Sequence, residues 1–536
     1  MSDAHLLPDM VRRSAERAPN AHGLVYGTAL RTYAELASHI DHAASGLMDL
    51  GVQRSDRVGI YLEKRPEMVE ACFAAATAGA VFVPLNPLLK PEQIGYVVRD
   101  CGIKVLVTSA DRLALLRHVL ADCPSVEHIV TTEPVSDSIG PIATVDWAAL
   151  TAFPLRPTYR RIDTDVAAIL YTSGSTGKPK GVVLSHRNMV AGAKSVASYL
   201  GNHAGDTLLA ALPLSFDAGF SQLTTAFHAG ARVVLLNYLM PRDVIKAMAR
   251  ERVTGLTAVP PLYIQLAGLD WPESIDEHLR YFANTGGRMP RETLGALRRR
   301  VPKAKPFLMY GLTEAFRSTY LPPEEVDRRP DSIGKAIPNA EILVLREDGT
   351  ECGPDEPGEL VHRGALVGLG YWGDAEKTAE RYKPLPPGVA GRDGALQLPE
   401  IAVFSGDTVR KDAEGFLYFI GRRDEMMKTS GYRVSPTEVE EVLYATKLVG
   451  ECVAFGVDHD TLGQSIQVIA TAPDGSDALA VDALLAECRR HMPAYMVPHG
   501  IEPMAGPLPR NPNGKIDRKR LATEWLDRRA AADAPS

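Results

Sequence analysis

The sequence predicts an α/β protein: a large N-terminal domain of layered α/β subdomains plus a β-rich subdomain, with a small α+β domain at the C-terminus. Three observations carry this. Helical and strand patterns alternate to about residue 320, short β segments take over from residue 340, and a separate unit follows residue 423. At 536 residues the chain suits about two to four structural units better than a single core.

"TYAELASHIDHAASGLMDLG" places apolar residues at helical spacing, with Gly51 as a C-terminal cap. The strand "DRVGIYL", the helix "RPEMVEACFAAATAG", the strand "AVFVPLN", the helix "KPEQIGYVVRDCG" and the strand "KVLVTS" follow in turn. Such alternation predicts a mainly parallel sheet covered by helices. Residues 133–164 lack periodicity and read as a connection to a second α/β stretch that opens at "DVAAILY". "AEILVLREDGTEC", "GELVHRG" and "FLYFIGR" are the short β segments, and the Pro- and Gly-rich residues 381–400 between them read as a surface excursion. The last unit, "PTEVEEVLYATKLVGECVAFGV", reads helix then strand and runs on to the basic "RNPNGKIDRKR". The boundary is therefore expected at 1–423 and 424–536.

Bulk properties narrow the function classes. A net charge of −7 gives no support to nucleic-acid binding or an anionic membrane partner. The most apolar run, residues 71–85, is too short to span a bilayer and is interrupted by Gly79 and Pro84. The N-terminus shows no basic region followed by an apolar stretch, so no signal peptide is expected. Six cysteines without a C-x-x-C pair suit reduced thiols in a cytoplasmic protein.

The chemistry concentrates first in "YTSGSTGKPKGVVLSH", residues 171–186. A Gly/Ser/Thr-rich turn between strands presents N–H groups and hydroxyls into one concavity suited to phosphate oxygens. Gly174 and Gly177 allow close backbone approach, and Lys178 and Lys180 add positive charge. The stretch is not a Walker A loop, because Pro179 stands where a magnesium-binding Ser or Thr would follow Lys178. A flexible linker would share the composition but is rarely bracketed by β-branched strands.

"TSGSTGKPKG", "YGLTEA" (310–315), "SGD" (405–407), "GRRDEMMKTSGYRVSPTEVE" (421–440) and "NPNGK" (511–515) occur in the order found in the adenylate-forming superfamily, which the chain resembles over nearly its whole length. That superfamily comprises acyl-CoA synthetases, adenylation domains of peptide synthesis and luciferases. The resemblance implies a mobile C-terminal domain and ATP and Mg²⁺ as cofactors. It implies an ATP-dependent ligase that converts a carboxylate to acyl-AMP and passes the acyl group to a phosphopantetheine thiol of a carrier protein or CoA.

Its site residues follow by position. Thr172, Ser173, Gly174, Ser175, Thr176, Gly177, Lys178 and Lys180 would cradle phosphate, with Thr313 on a phosphate oxygen and Glu314 offering Mg²⁺ a hard oxygen. Tyr310 would stack on adenine, Asp407 would accept from the ribose hydroxyls, and Arg422 would be a further nucleotide contact. Lys515 would bind the reacting carboxylate and α-phosphate. Asp424 would be the hinge and Gly431 would lie beside the thiol route, although each also reads as an ordinary turn residue.

The acid itself is less defined. Phe216 and Asp217 of "LPLSFDAGFSQLTTAF" resemble the helix entry that lines the acyl pocket, with Asn284, Gly286, Gly287, Met309 and Arg317 as further lining. A buried aspartate without a partner is costly, so Asp217 suggests an ammonium on the substrate. Helix N-capping is the alternative. Arg317 could meet an acidic substrate group or form an ion pair within the protein. The segments "FRSTYLPPEEV" and "MMKTSGYRVSPTEVEE" are similar both to freestanding amino-acid carrier ligases and to exosortase-associated acyl-CoA ligases. The expected substrate leans to an amino acid, with a fatty or aryl acid joined to CoA as the alternative.

Overall fold

The computed structural model describes residues 3–135, 139–172, 179–389, 398–423, 425–429, 432–459, 462–473, 478–511 and 514–532. The large N-terminal domain is built as five alternating layers of helices and sheets. A seven-stranded sheet runs in the order Ala143–Asp146, His128–Thr131, Ile103–Thr108, Arg57–Tyr61, Val81–Pro84, Val166–Thr172, Lys180–Ser185. All its pairs are parallel except the last. A fourteen-stranded sheet contains a parallel run of Lys305–Tyr310, Tyr281–Asn284, Gly255–Ala258, Thr207–Ala210, Arg232–Leu235 and His22–Tyr26.

The helices Tyr33–Asp49, Pro66–Ala78, His186–Leu200 and Asp217–Ala229 lie between the sheets and share one apolar core with strands of both. Pro66–Ala78, "PEMVEACFAAATA", is buried on nearly every side, as expected of a mostly apolar helix, and its buried Glu70 is paired with His39 at 3.0 Å. Helices Pro91–Cys101 and Ala110–Leu120 cover the outer face of the first sheet. Pro241–Arg250, Pro260–Ala267 and Arg291–Arg300 cover that of the second.

One expectation needs correction. Val166–Thr172 does not open the second sheet; it pairs with the first, Ala168 opposite Phe82. His22–Tyr26, from the N-terminus, instead extends the second sheet, Leu24 opposite Val233. The expected β-rich subdomain continues the second sheet, which Thr319–Leu321 and Ser332–Ala336 carry directly into Leu417–Arg422, Ile401–Lys411, Gly358–Gly364 and Ala340–Leu345. Element type follows from local pattern, whereas sheet membership follows from which apolar helix faces a strand must cover. The connection over 133–164 also holds a short strand, Ala143–Asp146, and a helix, Trp147–Thr151.

The small C-terminal domain has its own five-stranded sheet. Helices Pro436–Ala445 and Val481–His491 pack on one side of it. Trp525 and Leu521 of Arg518–Ala532 pack on the other, against Val453, Phe455 and Ile469.

Candidate active site

The carboxyl ends of the parallel strands in the second sheet open into a cleft of about 2250 Å³ between the large and small domains. Ligands bind at such strand ends because side chains and loops there are free of ladder pairing. Thr172, Lys180, Phe216, Asp217, Asn284, Gly286, Gly287, Met309, Tyr310, Thr313, Glu314, Asp407, Arg422 and Lys515 all line this cleft.

At one end, Asp407 and Arg422 face each other as antiparallel strand partners, with Arg422 Nε 3.9 Å from Asp407 Oδ1. The left-handed kink at Gly406 (φ 72°), inside strand Ile401–Lys411, lets Ser405 Oγ accept from the Asp407 N–H at 3.1 Å. The Tyr310 hydroxyl donates to Asp407 Oδ2. Burial pushes the Asp407 carboxyl above its ordinary value, against the pull of Arg422. Its buried Oδ1 has no hydrogen-bond partner among the described residues. An unpaired buried acceptor beside a cleft fits the two hydroxyls of a ribose, so the donor set suits a nucleotide.

Deeper in the cleft, Tyr371 donates to Glu314 Oε1 at 2.6 Å, and Lys180 Nζ lies 5.5 Å from the centre of the Tyr371 ring. Among the described residues, no three His, Cys, Asp or Glu side chains converge on a metal position. Glu314 could supply the carboxylate for a Mg²⁺ otherwise held by waters and substrate phosphates.

Lys515 reaches the cleft from the small domain on a tight turn. Asn511 Oδ1 accepts from the Lys515 N–H at 3.0 Å, and Gly514 adopts φ 82°. The Lys515 side chain crosses the Gly286 loop so closely that a Cβ on Gly286 would stand 3.4 Å from Lys515 Cε. The open cleft leaves the residue in contact with solvent, yet surrounding protein lowers the ammonium pKa, opposed by Asp217 and Asp407. An ion pair between Arg288 and Glu441, and another between Lys447 and Glu292 at 3.2 Å, join the domains beside it.

At the acyl end, the structure gives Asp217 a partner of its own. Arg317 Nη1 lies 3.0 Å from Asp217 Oδ2, and Thr313 Oγ1 donates to Oδ1 at 3.2 Å. Arg317 is 2 % exposed and Asp217 8 %. Asp217 is the first residue of its helix, Phe216 is the N-cap, and no side chain caps that end. Neither an ammonium nor a cap is thus needed to explain the buried aspartate, because Arg317 supplies the cation. Asn284 Nδ2 donates to the Gly287 carbonyl at 2.7 Å and holds the turn at Gly286 (φ 75°). The Tyr199 hydroxyl bonds Met309 Sδ at 3.0 Å.

Arg317 is aimed by a strained turn. Phe316 has φ 57° and ψ −44°, and the Arg317 N–H donates to the Ala315 carbonyl at 2.6 Å across it. This is a γ-turn of the rare, positive-φ kind. The Phe316 ring is fixed against Gly192, where a Cβ would overlap it.

Ser173, Gly174, Ser175, Thr176, Gly177, Lys178, Asp424 and Gly431 lie outside the described residues. Tyr371, which bridges Lys180 and Glu314, is absent from the sequence expectations. The only signal at that position is the Gly-flanked "GLGYWGD", which has no periodicity to mark it.

Comparison with known proteins agrees with this arrangement. Residues 11–372 match the model of the AMP-binding enzymes, and residues 438–515 that of the AMP-binding enzyme C-terminal domain. An L-proline–[L-prolyl-carrier protein] ligase of Streptomyces coelicolor is 32% identical, covering 93% of each chain. A long-chain-fatty-acid–CoA ligase of Salmonella typhimurium is 30% identical, covering 89% of this chain and 86% of the relative. The o-succinylbenzoate coenzyme A synthetase of Bacillus subtilis, solved with ATP and magnesium, superposes with a TM-score of 0.80 at 26% identity, covering 96% of this chain and 99% of the other. The chain belongs to the AMP-binding, adenylate-forming enzyme family, whose members are ATP- and Mg²⁺-dependent acid–thiol ligases.

Proposed function

We propose that this ligase adenylates a small carboxylic acid and transfers it to a phosphopantetheine thiol. The observation that carries the proposal is Lys515 meeting Asp217, Asp407 and Arg422 in one cleft. Asp407 accepts from the ribose and Tyr310 packs on the base. Glu314 holds Mg²⁺, which when bound neutralises charge on the phosphates. Thr172, Ser173, Gly174, Ser175, Thr176, Gly177, Lys178, Lys180, Thr313 and Arg422 contact the phosphates. Lys515 holds the substrate carboxylate against the α-phosphate and offsets the charge that builds there in the transition state. Pyrophosphate leaves, and the thiol displaces AMP from the mixed anhydride.

Transfer requires Lys515 to withdraw. The proposed rotation of residues 424–536 about Asp424 would break the Arg288–Glu441 and Glu292–Lys447 pairs and bring Gly431 to the thiol route. Six free cysteines and the absence, among the described residues, of any helix long and apolar enough to cross a membrane accord with the proposed cytoplasmic location.

The Asp217–Arg317 pair favours an acid whose tail carries no charge. An amino acid delivered to a carrier protein is the second reading, favoured by the carrier-protein ligase among the relatives. In that case Asp217 would share its carboxylate between Arg317 and an ammonium. Acid-dependent exchange of pyrophosphate into ATP, run over amino, fatty and aryl acids, tests both. Exchange confined to amine-bearing acids rejects the uncharged tail, and no exchange with any acid rejects the function.

A further inference from the structure

Beside Ala218 and Arg317 lies a small cavity of about 20 Å³. Ala218 and Met309 line both it and the main cleft, so it adjoins the acyl end of that cleft. Its walls are mostly apolar, including Val196, Leu200, Leu208 and Tyr281. Five polar side chains interrupt them, Ser221, Gln222, Thr225, Thr257 and Arg317, and of these only Gln222 and Arg317 carry a buried atom without a hydrogen-bond partner among the described residues. Arg317, 2 % exposed, has a buried Nε with no hydrogen-bond partner among the described residues. Gln222, 6 % exposed, donates its Nε2 to the Gly219 carbonyl at 2.9 Å, which turns its Oε1 into a buried acceptor that is likewise unpartnered.

An unpaired donor and an unpaired acceptor thus line one space sized for a single water-like group. Buried polar atoms are otherwise almost always paired, so these two call for an occupant. An ammonium could donate to Gln222 but would meet the guanidinium of Arg317. A carboxylate could accept from Arg317 but would face the Gln222 oxygen and the charge of Asp217. A methyl group would leave both atoms unpaired. A hydroxyl accepts from Arg317 Nε and donates to Gln222 Oε1 at once.

We propose that the acid this enzyme activates carries a neutral hydroxyl at the end remote from its carboxylate, read by Arg317 and Gln222. This rests on the adenylation proposed above and deepens it to a substrate class: short hydroxy acids, aliphatic or phenolic. A site built to bond a hydroxyl discriminates strongly against the analogue that lacks it, because both partners are then left unpaired.

The test uses the whole enzyme and matched acids: 4-hydroxybutanoate against butanoate, 6-hydroxyhexanoate against hexanoate and 6-aminohexanoate, and 4-hydroxybenzoate against benzoate. The expected result is at least a tenfold higher kcat/KM for pyrophosphate exchange with the hydroxy acid in one or more pairs, and 6-aminohexanoate no better than hexanoate. Exchange without a tenfold preference in any pair overturns the proposal and assigns the cavity to a bridging water only. Absence of exchange with every acid instead removes the adenylation function on which the proposal stands. Gln222→Met keeps side-chain length and removes the acceptor, and should bring the preference to near parity in a variant whose thermal midpoint shows it folded. An undiminished preference in that variant overturns the role of Gln222.

Discussion

Replacing Arg317 by Met probes the feature that separates this site from one built for an amine. At 3.0 Å and an effective dielectric constant of about 20, Asp217 and Arg317 attract by about 5.5 kcal/mol. Desolvation of both charges offsets most of that, so the intact pair contributes little net stability. Removing one partner is different. Arg317→Met leaves the buried Asp217 carboxylate with only the Thr313 hydroxyl at 3.2 Å, and loss of a partner at such a site costs about 3–5 kcal/mol. The double variant Arg317→Met/Asp217→Leu removes both charges and should recover most of the loss. Urea unfolding followed by tryptophan fluorescence measures the shift of the large-domain transition, and the double-mutant cycle isolates the coupling. A single-variant loss below about 1 kcal/mol, the ordinary range of an exposed ion pair, would refute the buried pair and return Asp217 to the substrate.

Other perturbations have defined signs. Asp407→Ala removes the acceptor opposite Tyr310 and should weaken binding of a non-hydrolysable ATP analogue by about tenfold or more, as loss of charge-assisted hydrogen bonds implies, read by calorimetry. Burial pulls the His186 imidazole down to about 4, and its Nδ1 accepts from the Leu7 N–H at 3.2 Å. The unfolded chain therefore binds a proton that the native state refuses. The His186 contribution is full above pH 6.5 and is lost as pH falls toward 4, by up to about 3 kcal/mol. His186→Gln should flatten the stability slope in that window. Gly192→Ala forces a methyl into the Phe316 ring and should destabilise by about 1–3 kcal/mol, as overpacking does. It should also lower exchange activity, since the same γ-turn aims Arg317; calorimetric melting and exchange assays check the two effects.

Much of the site was legible because its residues sit in contiguous motifs. "YGLTEA", "SGD" and "NPNGK" place Tyr310, Glu314, Asp407 and Lys515 in one cleft, although 108 positions separate Asp407 from Lys515. What the sequence could not reveal is side-chain partnership at long range. Asp217 and Arg317 are 100 residues apart, and each alone is compatible with a cap, a surface charge or a ligand contact. Tyr371 meets Glu314 across 57 residues without a periodic signal. Gln222 sits in an apolar helical pattern, where only the stranded Oε1 marks it. The fold divides in the same way. The strand and helix patterns of residues 33–108 match the observed elements closely, whereas the sheet that Val166–Thr172 joins, and the pairing of His22–Tyr26 with Arg232–Leu235 about 200 residues on, are not marked in the local pattern. Propensity is local, and sheet membership is decided by packing between distant helices.

The central claim is that Lys515, borne on the small domain, serves the step that makes acyl-AMP and not the step that consumes it. Measuring the two half-reactions separately in Lys515→Ala tests it most directly. Pyrophosphate exchange should fall by about 100-fold or more, the scale of losing a charge-stabilising donor, while a supplied acyl-adenylate is still transferred to thiol at near the native rate. Exchange that survives the substitution, or equal loss in both half-reactions, would contradict the account.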